Sequence, residues 1–153
     1  MPSSNQHSDQ DDPLDLARFI SAQEGVYPRA LAEIRAGDKR SHWMWFIFPQ
    51  IDGLGFSSTA KHYAIKSVEE ARQYLIHPVL GPRLIECAEA VLAVEGRSAN
   101  EIFGSPDDMK LMSCMTLFES IGGNDSVFGR VLDKFYQGKR DTKTQDILAA
   151  MNG

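Results

Sequence analysis

The chain has 153 residues, 42% of them apolar, with 16 basic against 21 acidic side chains for a net charge of −5. A single domain of that size hides roughly 70% of the surface its unfolded form exposes, so a core forms without a disulfide or metal staple. Setting aside the acids Asp9, Asp11 and Asp12 leaves a nearly neutral remainder. That balance excludes the cationic excess expected of a protein whose affinity rests on nucleic-acid phosphates.

Residues 1–12 are polar and acidic and read as a disordered tail, with no apolar stretch of the kind a signal peptide carries. Residues 13–153 read as one domain. Asp12-Pro13 places a cap before a first-turn proline, ahead of Leu14, Ala17 and Phe19. Tyr27-Pro28 opens a second helix that Gly37 closes. The apolar run Trp43–Phe48 fits a buried strand or a buried helix. Ser41 as a cap and Pro49 as a stop favour the helix, and a lone strand has no partner here. The run is far short of the ~20 residues that span a bilayer. Ser67 with Glu70, and Ser98 with Glu101, match the capping-box pattern.

Further along, Leu80, Leu84, Cys87, Ala88 and Val91 recur at helical spacing, as do Leu111, Met115 and Phe118. Ser105-Pro106-Asp107-Asp108 combines a cap, a proline and two first-turn acids that complement the helix dipole. Asp125 and Asp141 are candidate caps for the last two helices. Strand signals are nearly absent, so the fold expected is all-α, with seven to nine short helices. Cys87 and Cys114 sit among apolar residues and read as reduced core thiols. A soluble, cytoplasmic protein is expected.

Two segments stand out chemically. The first is Lys39-Arg40-Ser41-His42-Trp43-Met44-Trp45, in which two tryptophans, a histidine and two cations crowd together. It reads as one wall of a pocket, with Trp43 and Trp45 as stacking surfaces and Lys39, Arg40 and Ser41 as an anion site. The alternative is that Trp43, Phe46 and Ile47 fill the core and His42 is a satisfied histidine. The second segment is Asp107 to Thr116, where Asp107, Lys110 and Ser113 share a helical face with Asp108 one step round. There Asp107 or Asp108, together with His42, would supply acid/base chemistry. Lys110, Ser113 and Thr116 would contact the ligand. The alternative is a solvated face whose acids cap the helix and pair with Lys110.

Weaker candidates are the loop Gly53-Leu54-Gly55-Phe56-Ser57-Ser58 ahead of Lys61, His62 and Tyr63, the corner at His77, and the turn at Gly122-Gly123. The histidines lack metal-ligand spacing, so neither a metal nor a cofactor is expected. If the two main segments share a cavity, the function expected is binding of a small anionic ligand, nucleotide- or ADP-ribose-like, with hydrolytic or N-glycosidic chemistry if it is an enzyme. If they do not, the aromatic segment is core and the chain is a protein-interaction module. Neither a membrane nor nucleic acid is the expected partner.

The strings SHWMWFIFPQ, EARQYLIHPVLGPRL and GSPDDMKLMSCMTLF resemble a bacterial domain-of-unknown-function family, numbered eighteen-ten, from about Leu14 to Leu148. That resemblance implies a small, mainly α-helical single domain. Some members carry a calpastatin-like label, but calpastatins are disordered inhibitors, unlike a tryptophan-rich chain with a core. A fainter similarity, carried by YLIHPVLGPRL and by Asn124-Asp125 with Phe128-Gly129-Arg130-Val131-Leu132, is to the NADAR family. It implies an association with ADP-ribose and N-glycosidic chemistry.

Overall fold

A computed structural model describes residues 12–152, so the expected acidic tail lies almost wholly outside the described residues. Those residues contain ten helices and no sheet, the all-α class read from the sequence. In chain order they are α1 (Ala17–Gln23), α2 (Tyr27–Arg35), α3 (Met44–Ile47), α4 (Ser58–Tyr63), α5 (Val68–Ile76), α6 (Leu80–Ala93), α7 (Ala99–Phe103), α8 (Asp107–Gly122), α9 (Val127–Phe135) and α10 (Thr142–Asn152). None is long and apolar enough to cross a membrane.

The core is organised around α6 and α8. Leu80, Leu84, Cys87, Ala88 and Val91 of α6 are buried, and α2, α5 and α9 pack on that helix. Every residue of α8 from Leu111 to Glu119 is buried, because α5, α7, α9 and α10 cover it from different sides. A helix covered all round has no solvated stripe, so Ser113 and Thr116 do not belong to a solvent face. In contrast, α9 is cleanly two-faced: Val127, Phe128, Val131 and Leu132 point inward while Arg130 and Asp133 stay exposed. Cys87 and Cys114 are both free and buried, and burial pushes the Cys87 thiol up to about 12.

The capping chemistry largely follows the sequence, with four shifts, the first being that α8 has Pro106 in its cap position and no side-chain cap, so Ser105 does not cap it. Asp12 accepts from the amides of Leu16 and Ala17, Asp141 accepts from the Thr144 amide, and Ser98 with Glu101 forms both halves of its capping box. The cap of α9 is Ser126, whose hydroxyl accepts from the Gly129 amide, and not Asp125. Ser67 caps α5, but Glu70 bonds the amide of Lys66, one residue upstream of the box position. The stretch 43–48 does form a short helix, yet Ser41 does not cap it, because its hydroxyl donates to Glu33. Among the described residues only one pairing has strand character, the bridge between Ile51 and Ile65.

A buried ion pair pins the α1 and α4–α5 regions together. Arg18 reaches Glu70 at 2.7 Å, and the two side chains are 8% and 2% exposed. Its remaining donors bond the carbonyls of Leu14, Asp15, His62 and Ala64. Arg18→Ala leaves a buried carboxylate without its cation, so it should cost about 3–5 kcal/mol in urea unfolding, and Arg18→Met with Glu70→Gln should lose less. A single-variant loss below about 1 kcal/mol would mean that Glu70 is solvated rather than dependent on Arg18.

Candidate functional site

The segment 38–45 is shaped by one carboxylate. Glu33 on α2 accepts from the Arg40 amide at 2.9 Å, the Ser41 amide at 3.1 Å, the Ser41 hydroxyl at 2.7 Å and the Trp43 indole at 2.9 Å. Burial pushes its carboxyl up, but these hydrogen bonds outweigh that and hold it down at about 2. Trp43 is fixed in the core by this bond and by its packing against Phe48 and Phe103. The Lys39 amide also donates to the Ile102 carbonyl at 2.8 Å, which draws the segment toward α7 and the start of α8.

There the two chemically distinctive segments meet. Lys39 Nζ lies 2.8 Å from Asp107, and Lys110 Nζ lies 3.5 Å from the same carboxylate. Lys110 also sits 3.7 Å above the centroid of the Trp45 ring, a cation–π contact. The side chains of Lys39, Asp107 and Lys110 are 8%, 20% and 20% exposed, so this is not a freely solvated ion pair. Two ammonium groups share one carboxylate, which leaves one positive charge uncompensated within the group.

Beside it opens a cavity of about 240 Å³. On one side stand Trp45, Gln50 and the loop Asp52–Gly55, with Tyr63 behind them. On the other stand Met109, Lys110 and Ser113, with Asp141 and Lys143 from the last inter-helix connection and α10. The first wall is held by the Ile51–Ile65 bridge, in which the Asp52 amide donates to the Ile65 carbonyl and the Ile65 amide to the Gln50 carbonyl, each at 2.8 Å. Gly55 packs so closely that a Cβ there would lie 2.7 Å from that of Ala60. The second wall is held by Asp141. Its Oδ2 accepts from the Ser113 hydroxyl at 3.1 Å, the Thr144 amide at 3.1 Å and the Thr144 hydroxyl, while its amide donates to Thr116 Oγ1 at 2.9 Å. Asp141 Oδ1 has no hydrogen-bond partner among the described residues.

Of the residues singled out from sequence, Trp45, Lys110 and Ser113 line this cavity, and Lys39 and Asp107 stand directly behind Lys110. Asp108 is off the lining: its carboxylate bonds its neighbour's amide and Asn100, and its carbonyl accepts from Tyr136. Arg40 and His42 are exposed and also off the lining, with Arg40 paired to Asp38. Trp43 is buried core, Ser41 is bound to Glu33, and Thr116 is a buried partner of Asp141. The sequence did not mark Gln50, Asp52 or Lys143 individually, and Asp141 was legible only as a cap. A second, more open cavity of about 310 Å³ between α2 and α6 is lined by the exposed pair Arg35–Glu86, with Glu89 and aliphatic side chains. Among the described residues no cluster of His, Cys, Asp or Glu could hold a metal ion.

Residues 13–148 match the sequence model of the family described as "Protein of unknown function (DUF1810)". The chain belongs to that family. This DUF1810 chain is also similar to the conserved hypothetical protein Rv1873 from Mycobacterium tuberculosis, whose crystal structure was determined at 1.38 Å. The two are 53% identical, and the similarity covers 90% of this chain and 99% of the other with a TM-score of 0.88. No protein of curated function matches the DUF1810 chain.

The Glu33 hub carries a pH signature. Its folded pKa lies below that of a free carboxyl, so its contribution is complete above about pH 4.5 and is lost as pH falls toward 2. Glu33→Gln should destabilise the protein at pH 7 by on the order of 1–2 kcal/mol. It should also flatten the fall in melting temperature between about pH 5 and pH 2. Parallel melting curves for wild type and variant across that window would rule out Glu33 as the group responsible.

Proposed function

We propose that this protein binds a small organic anion in the cavity between Trp45 and Lys110. The observation that carries the reading is the shared carboxylate: Lys39 and Lys110 both lean on Asp107, so Lys110 reaches the wall without a carboxylate of its own. An ammonium that is only 20% exposed and fixed on an indole face is held in place before a ligand arrives, which lowers the ordering cost of binding. Lys143 adds a second cation on the same side. The nucleotide- or ADP-ribose-like compounds expected from the sequence are anions of this kind.

The acid/base groups expected from the sequence do not favour cleavage: Asp107 is committed to two ammonium groups, and Asp108 and His42 are off the lining, so the function proposed is binding. Trp45 provides the readout, because it lines the cavity while Trp43 is buried. Titration of the full chain with inorganic phosphate, AMP and ADP-ribose should give a saturable change in tryptophan emission. Lys110→Met should weaken it by about tenfold or more, with the far-ultraviolet circular dichroism unchanged. If no anion gives a saturable signal, or if Lys110→Met binds as wild type does, the cavity is not an anion site. The exposed Met109 on its lining and the exposed Phe56, next in sequence to Gly55, would then favour an interaction surface.

A further inference from the structure

Resting on the anion-binding reading above, we propose that the ligand is a phosphorylated sugar or polyol whose recognition involves no stacked base. The first reason is that Trp45 is not an open platform. The Lys110 ammonium occupies the space above one face of its ring at 3.7 Å, which denies that face to a stacked base. At the ring's edge stands Gly55, where a Cβ would be in ordinary contact with Cη2 and Cζ3 at 4.0 Å. Tyr63, the other aromatic on the lining, is engaged by Phe19, Phe46 and His62.

The second reason is the kind of polar atom that remains. Asp141 presents an oxygen without a partner among the described residues, Asp52 a carboxylate whose Oδ1 lies 3.6 Å from the Lys66 ammonium, and Gln50 a side-chain amide. Carboxylates accept and do not donate, so they match ligand hydroxyls. Apolar surface from Leu54 and Met109 suits the C–H faces of a sugar ring, while Lys110 and Lys143 suit its phosphate. Size agrees: about 240 Å³ lies below the roughly 300 Å³ at which sites for drug-sized ligands begin, and so suits one ring with its phosphate.

Calorimetric titration of the full chain with inorganic phosphate, ribose 5-phosphate, glucose 6-phosphate, AMP and adenosine separates the outcomes. At least one sugar phosphate should bind about tenfold or more tighter than inorganic phosphate, AMP should gain no more than about threefold over ribose 5-phosphate, and adenosine should not bind. Gln50→Leu should erode the advantage of the sugar phosphate and leave inorganic phosphate unchanged. Binding of AMP about tenfold or more tighter than ribose 5-phosphate, or any binding of adenosine, overturns the sugar assignment but leaves the anion site standing. Equal affinity for inorganic phosphate and both sugar phosphates also overturns it. Failure of every phosphate to bind removes the anion site itself.

Discussion

The structure depends on the burial of α8 on all sides along its middle, from Leu111 to Glu119. Along this helix every third residue from Asp107 to Glu119 is polar: Asp107, Lys110, Ser113, Thr116 and Glu119 form a slanting ridge. In a covered helix each of these groups must find a partner inside the protein. Glu119 takes a two-pronged bond from Arg140, while Thr116 and Ser113 are both joined to Asp141. Asp107 takes Lys39 and shares Lys110 with Trp45. The ridge therefore dictates where the start of α10 docks and where the 39–45 segment lies. The cavity opens at the point where the two sets of partners come apart.

Local chemistry explains what was readable in advance. Helices announced by a cap or a proline, such as α2, α7 and the turn before α1, begin where those residues put them. The crowding of Trp and Lys at 39–45 and the polar residues of 107–113 are each legible, whereas their meeting, open from the sequence, is supplied by the fold through Lys39, Trp45, Asp107 and Lys110. Long-range partners were not readable. Glu33 looks like any surface acid on an amphipathic helix, and nothing local shows that four donors from residues 40–43 will converge on it. For the same reason Ser41, a plausible cap by position, is claimed by Glu33, and Trp43 and Trp45, two residues apart, end in different environments. Periodicity reports which residues face inward, whereas the identity of the neighbour is set by helix packing.

Trp45 shows how a residue type can be picked out correctly while its role changes. Tryptophan beside lysine suggests a stacking surface with an anion contact. The fold brings a different lysine, Lys110 from α8, onto the indole, while Lys39 lies 4.9 Å from the buried Trp43. The aromatic residue becomes a rest for the cation. The ammonium keeps a favourable contact when nothing else is bound and stays in place to meet an incoming anion.

The second wall of the cavity is also the beginning of the final helix. Asp141 caps α10 with one oxygen and faces the cavity, and Lys143 lies within the first turn. A molecule that engages this wall would act as a clasp on α10, and by mass action it would stabilise the docked form by roughly 2.7 kcal/mol at a hundredfold excess over its dissociation constant. Occupancy would then be written into the slow exchange of amide protons along α10, far from any atom the ligand touches.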